Sequence, residues 1–277
     1  MEATVNDFNY GAVTPVVAYL MACLGAALGL RCTTRSLRRG NESRKAGWLA
    51  LGATAIGSGI WTMHFIAMIG FSIEDATLTY DTSRTLLSLL VAIVVVGIGV
   101  FIVGYRGATP VTLGVAGVTT GLGVAAMHYL GMSAIHVPGH LEYDAVTVAL
   151  SVLIAVGAAT AALWAAVSIH GLGASLGASL VMGLAVTGMH YTGMAAVGVH
   201  LDGTGGTSSS STDLMMFLLA MLAGPVSVLV LAAVIVLFDP EMVLGDGEWN
   251  QPAAPASPHA PGAPAQRATH ADPRVWP

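Results

Sequence analysis

The sequence predicts an all-α integral membrane protein of seven transmembrane helices, built from repeated helical-hairpin units, with the N-terminus outside and the C-terminus in the cytoplasm. Three observations carry this reading. Of 277 residues, 55% are hydrophobic and only 9% are charged, giving a mean hydropathy of +0.76. An average soluble domain is roughly 25% charged, so too few charges remain here to cover a water-facing surface. Seven stretches free of Asp, Glu, Lys and Arg each reach the ~20 residues that cross a hydrocarbon core. Finally, one short motif recurs about once per hairpin.

The seven stretches run from about Tyr10 to Leu30, Gly47 to Phe71, Thr85 to Tyr105, Pro110 to Ile135, Ala145 to Ser168, Gly171 to Val199 and Leu214 to Phe238. In lipid the backbone must bond within its own segment, which favours helices, and no ten-residue alternation of polarity points to a barrel. The acidic Met1–Tyr10 segment lacks the positive start of a cleavable signal, so the first span is expected to anchor the chain. Arg31, Arg35, Arg38, Arg39, Arg44, Lys45, Arg106, Arg267 and Arg274 fall on one side of the membrane and only Arg84 on the other. Basic residues mark the cytoplasmic side, which sets the orientation. The membrane domain is expected over 1–238. The segment 239–277 holds eight of the twelve prolines and reads as a disordered cytoplasmic tail, too short for a catalytic output domain. The Gly203–Ser211 stretch reads as a flexible outer loop.

Several function classes fall away. A net charge of -5 without a basic stripe excludes nucleic-acid binding by charge. Cys23 and Cys32 cannot form a disulfide framework or a cysteine-rich zinc site.

The recurring motif reads Met63-His64-Phe65 with Ala67 and Met68 on the second span, Met127-His128-Tyr129 with Gly131 and Met132 on the fourth, and Met189-His190-Tyr191 with Gly193 and Met194 on the sixth. Each copy is preceded by glycines that let helices approach closely. Spans two, four and six run parallel, so the three histidines share one depth, expected roughly 10–12 Å inside the outer boundary. Each histidine and the methionine four residues on share a helix face. The leading methionine points elsewhere, as ligand or packing, and the small residues leave space beside each ring. One intramembrane histidine most simply bonds a neighbouring helix, but three at matched depth, each followed by a methionine, favour a shared site. His136, His140 and His200 lie just outside and read as solvated loop residues; His259 and His270 read as bystanders.

Three imidazoles and up to six thioethers, with no carboxylate in the spans, disfavour Mg, Ca and Mn. Zinc with three histidines is chemically possible but carries two charges into a low-dielectric region. Cu(I) carries one and suits a soft donor set, so copper is the expected cofactor.

These residues resemble the MHYT domain, a bacterial integral membrane sensor family named for a Met-His-Tyr-Thr motif. The resemblance covers residues 10 to 238; only the third copy, ending in Thr192, has the whole motif. It implies copper held by Met63, His64, Met68, Met127, His128, Met132, Met189, His190 and Met194 near the outer face, and sensing of a diatomic gas (O₂, CO or NO) or redox state. Family members often continue into cyclic-di-GMP or kinase domains. No such domain is recognised here, so a non-enzymatic sensor in the bacterial plasma membrane is expected, passing its signal to a separate cytoplasmic protein. A copper transporter or carrier is the alternative, and a membrane copper oxidase ranks last because no acid–base group beyond the histidines lies in the spans.

Overall fold

Stretches that must satisfy their own backbone in lipid, and that Gly and Ala allow to pack closely, fold here as seven helices. A computed structural model of the chain describes residues 3–37, 44–73, 78–169, 171–201 and 211–239. The helices are α1 (Val13–Ser36), α2 (Lys45–Ile69), α3 (Thr82–Arg106), α4 (Pro110–Met132), α5 (Ala145–Ser168), α6 (Leu172–Met194) and α7 (Ser211–Leu237). All seven are long and apolar enough to cross a membrane. Large apolar residues such as Leu90 and Leu153 face outward, 57% and 68% exposed, as a lipid-facing surface requires.

Two boundaries depart from expectation by more than three residues. Helix α1 continues to Ser36, six residues past Leu30, because Arg31 and Arg35 mark where the apolar stretch ends and not where the helix does. Arg35 Nε donates to Asp239 Oδ2 at 2.8 Å, tying that end of α1 to the end of α7. Helix α6 stops at Met194, five residues before Val199, because the chain leaves it to pair as a strand. The tail proposed over 239–277 lies, except for Asp239, outside the described residues, as does nearly all of the 203–211 loop.

Among the described residues, six short strands were not foreseen: β1 (Val5–Asn6), β2 (Ser72–Ile73), β3 (Thr79–Tyr80), β4 (Ile135–His136), β5 (Gly139–Tyr143) and β6 (Val197–Leu201). They pair antiparallel as β1 with β2, β3 with β4 and β5 with β6. The molecule is therefore three strand–helix–helix–strand units followed by α7. Each hairpin is clasped at one end by its own ribbon. Helices α1 to α6 close into a ring, each packed on its sequence neighbours and α6 on α1, while α7 packs outside against α2 and α1.

The motif glycines make this ring close, although not between the motif helices themselves. A β-carbon at Gly57 would lie 2.8 Å from the Ile93 backbone of α3, one at Gly121 would strike the Val156 backbone of α5, and one at Gly183 would strike Cys23 of α1. Each motif helix thus presses its glycine on the next odd-numbered helix, three times around the ring. At the strand end, Asp81 and Asp144 cap α3 and α5, accepting from the backbone N–H of Arg84 and Thr147. The Thr147 side chain and then its N–H hold the Asp144 carboxyl below its usual range.

Candidate metal centre

The six-helix ring leaves its axis to side chains, since an odd-numbered helix separates each motif helix from the next. Three imidazoles reach into that space: His64 from α2, His128 from α4 and His190 from α6. Their Nδ1 atoms form a triangle with sides of 3.1 Å (His64–His190), 3.2 Å (His64–His128) and 3.3 Å (His128–His190). Such a triangle has its centre about 1.9 Å from each corner, close to the ~2.0–2.1 Å of a metal–imidazole bond. The ring centroids are 5.0–5.1 Å apart and the planes cross at 83–85°, so the rings stand as a three-bladed propeller with the Nδ1 atoms innermost. Each histidine is only 1% exposed.

Hydrogen bonding satisfies this arrangement only in part, since mixed tautomers let one Nδ1–H donate to a neighbouring Nδ1 and leave the third ring over. A neutral imidazole offers one N–H and one lone pair. With protons on Nδ1, three N–H groups crowd one point. With protons on Nε2, three lone pairs do, and the Nε2 atoms of His64 and His128 have no partner. Each buried unsatisfied group costs about 1–3 kcal/mol. A shared cation on the Nδ1 side removes the conflict, so these residues fit a metal ion. Among the described residues, this is the group of His, Cys, Asp or Glu side chains placed to hold one.

The second nitrogens are held by shape. A β-carbon at Gly131 would lie 2.6 Å from His64 Nε2, and one at Gly193 would lie 2.5 Å from His128 Nε2. The sequence reading expected Ala67, Gly131 and Gly193 to leave space beside the rings, without saying which ring each one seats. Gly131 and Gly193 seat the histidine of the preceding unit, because the rings of His64 and His128 lean onto the next motif helix.

The motif methionines divide into two layers. Met63, Met127 and Met189 join the main core of the bundle. Met68, Met132 and Met194, at most 2% exposed, join Phe71, Ile135 and Val199 in an apolar plug under the strands. The helices end four to five residues beyond the histidines, at Ile69, Met132 and Met194. At 1.5 Å per residue that is about 6–8 Å, shallower than expected, with the strands adding the remaining cover. The motif aromatics brace that cover: Phe65 against Tyr80, Tyr129 against Tyr143 and Tyr191 against Phe8, at centroid distances of 6.2, 5.8 and 5.5 Å. Tyr129 and Trp61 also bond Ser151 on α5 and Ser88 on α3 at 2.7 and 2.9 Å. These serines sit in apolar helices without a motif around them, and sequence reasoning passed them over. His140 and His200 lie on facing strands, outside the triad, with stacked rings 5.4 Å apart beside Glu142.

A family model described as a bacterial signalling protein N-terminal repeat, MHYT, matches residues 57–116 and 121–178. The bifunctional diguanylate cyclase/cyclic di-GMP phosphodiesterase MucR of Pseudomonas aeruginosa is 35% identical over 240 residues, 84% of this chain and 35% of its own length. The cyclic di-GMP phosphodiesterase NbdA of the same organism is 38% identical over 202 residues, 70% of this chain and 25% of its own. Signaling protein YkoW of Bacillus subtilis is 29% identical over 205 residues, again 70% and 25%. The chain thus spans between a quarter and about a third of the length of these relatives. No solved structure matches it.

Proposed function

Because the chain belongs to the MHYT family and is a multi-pass bacterial membrane signalling protein, we propose that His64, His128 and His190 hold one Cu(I) ion through Nδ1 and that this centre senses a diatomic gas or redox state. The observation that carries the reading is the convergence of three buried Nδ1 atoms on one point, where hydrogen bonding pairs at most two of them well. The donor set contains imidazole and nearby thioether but no carboxylate, which suits a soft monovalent ion better than a hard divalent one. When bound, reduced copper would supply a centre able to take a π-accepting diatomic molecule. Met63, Met68, Met127, Met132, Met189 and Met194 complete the proposed site as soft walls and thioether donors above and below the triad. The outer methionine plug and the strands exclude water.

In this reading the strand end faces outward, since Arg35, Lys45 and Arg106 lie at the other. The three histidines come from three separate units, so a change in how they are held alters the packing of all three hairpins. That is a way for one ligand to favour one arrangement of the bundle over another. The relatives named for cyclic di-GMP turnover suggest where the signal goes: to a cytoplasmic signalling partner at the basic end.

Metal analysis tests the proposal. Protein purified without oxygen and offered Cu(I) and Zn²⁺ should retain about one copper per chain, and a variant with all three histidines changed to Ala should retain almost none. Equal copper in both, or no metal in either, would sink it.

A further inference from the structure

On the side of the triad away from the strands, the bundle axis contains a cavity of about 60 Å³. One turn from the histidines it is lined by Ile60, Val124 and Val186, each four residues before a motif histidine. Two turns away come Ile56, Thr120 and Met182, each eight residues before. Alanines of α5, Ala159 among them, close much of the remaining wall, and Met189 beside His190 also lines it. The lining thus repeats three times around the axis that passes through the triad.

Two threonines border this cavity. Elsewhere Thr34, Thr54 and Thr160 satisfy theirs by donating to the carbonyl four residues back, all at 2.8 Å. Thr33 and Thr120, 2% and 6% exposed, border the cavity without a hydrogen-bond partner, and the Thr120 hydroxyl is pressed against Gly99 of α3. They stand on different helices, α1 and α4, and the rest of the wall is apolar. A water needs two to four polar partners to stay in such a place, and an apolar cavity stays dry and takes small apolar guests. At about 60 Å³ it is less than half of the ~150 Å³ apolar cavity that takes benzene, which leaves room for a guest of only a few atoms.

We infer that this cavity is a dry docking chamber for a small apolar molecule of diatomic size, one helical turn from the histidine triad, through which such a molecule reaches the centre. The link to the centre rests on the proposed copper reading; the chamber does not.

Xenon is the probe. Metal-free full-length protein in lipid nanodiscs should give a saturable ¹²⁹Xe NMR shift. Ala159→Leu, which fills the chamber from α5, should weaken xenon binding at least tenfold, and Val186→Phe from α6 should do the same. In copper-loaded protein, Ala159→Leu should slow CO association at least tenfold without lowering copper content. Absent saturable xenon binding, xenon binding undiminished in both folded variants, or an unchanged CO rate would overturn the inference. Xenon binding without copper retention would count against the copper reading and for the chamber; copper retention without xenon binding would do the reverse.

Discussion

Gly193→Ala, the addition of one methyl group, is expected to weaken copper binding tenfold to a hundredfold while leaving a folded seven-helix protein. The new β-carbon would lie 2.5 Å from His128 Nε2, inside any tolerable contact. The ring must move, and it has no free space because it is 1% exposed. Overpacking of this kind costs about 1–3 kcal/mol, and each 1.4 kcal/mol is a factor of ten in affinity. Gly131→Ala should act the same way through His64, where the contact would be 2.6 Å. Gly157→Ala is the control, since a β-carbon there meets nothing within 4 Å. Copper titration of the three variants, with helicity checked by circular dichroism, decides the matter. Equal affinity in all three would show that the seat of the rings does not matter.

The second large effect concerns stability and runs opposite to ordinary intuition. Replacing His64, His128 and His190 together by Leu should abolish copper binding and raise the melting temperature of the metal-free protein by several degrees. Three buried imidazoles of which one is left over by any pairing of Nδ1 atoms, and two have an unpartnered Nε2, are a burden without a cation, at about 1–3 kcal/mol for each unsatisfied group. Apolar replacements of similar volume remove that burden and fill the axis. If the histidines served only as hydrogen-bonding glue between helices, the same variant would melt lower. The copper-loaded wild type should melt above both, because a ligand bound only by the folded state adds stability by mass action.

Much of this was legible in the residues. The spans followed from the missing charges, and the triad followed from a histidine at one depth on three parallel helices. The proposal of copper over harder ions rests on the absence of carboxylates from the spans. What could not be read were features that depend on neighbours in space. The strands are two to five residues long and lie in loops, so they carry too little periodicity to announce themselves. The space left by Gly131 and Gly193 was seen, but not which histidine each one seats, because helix spacing shows what shares a face and not which way a ring leans. The axial cavity is made of Ile, Val and Ala at ordinary membrane positions, and only closure of the ring turns those positions inward. Ser88 and Ser151 were missed for the same reason.

The central claim is that three imidazole nitrogens, one from each hairpin, hold a single copper ion, and X-ray absorption at the copper edge tests it most directly. Anaerobic copper-loaded protein should show about three nitrogen scatterers near 2 Å with the outer-shell features of imidazole, and these should vanish in the triple histidine variant. A first shell made of sulfur alone, or an imidazole signal that survives loss of all three histidines, would contradict the account.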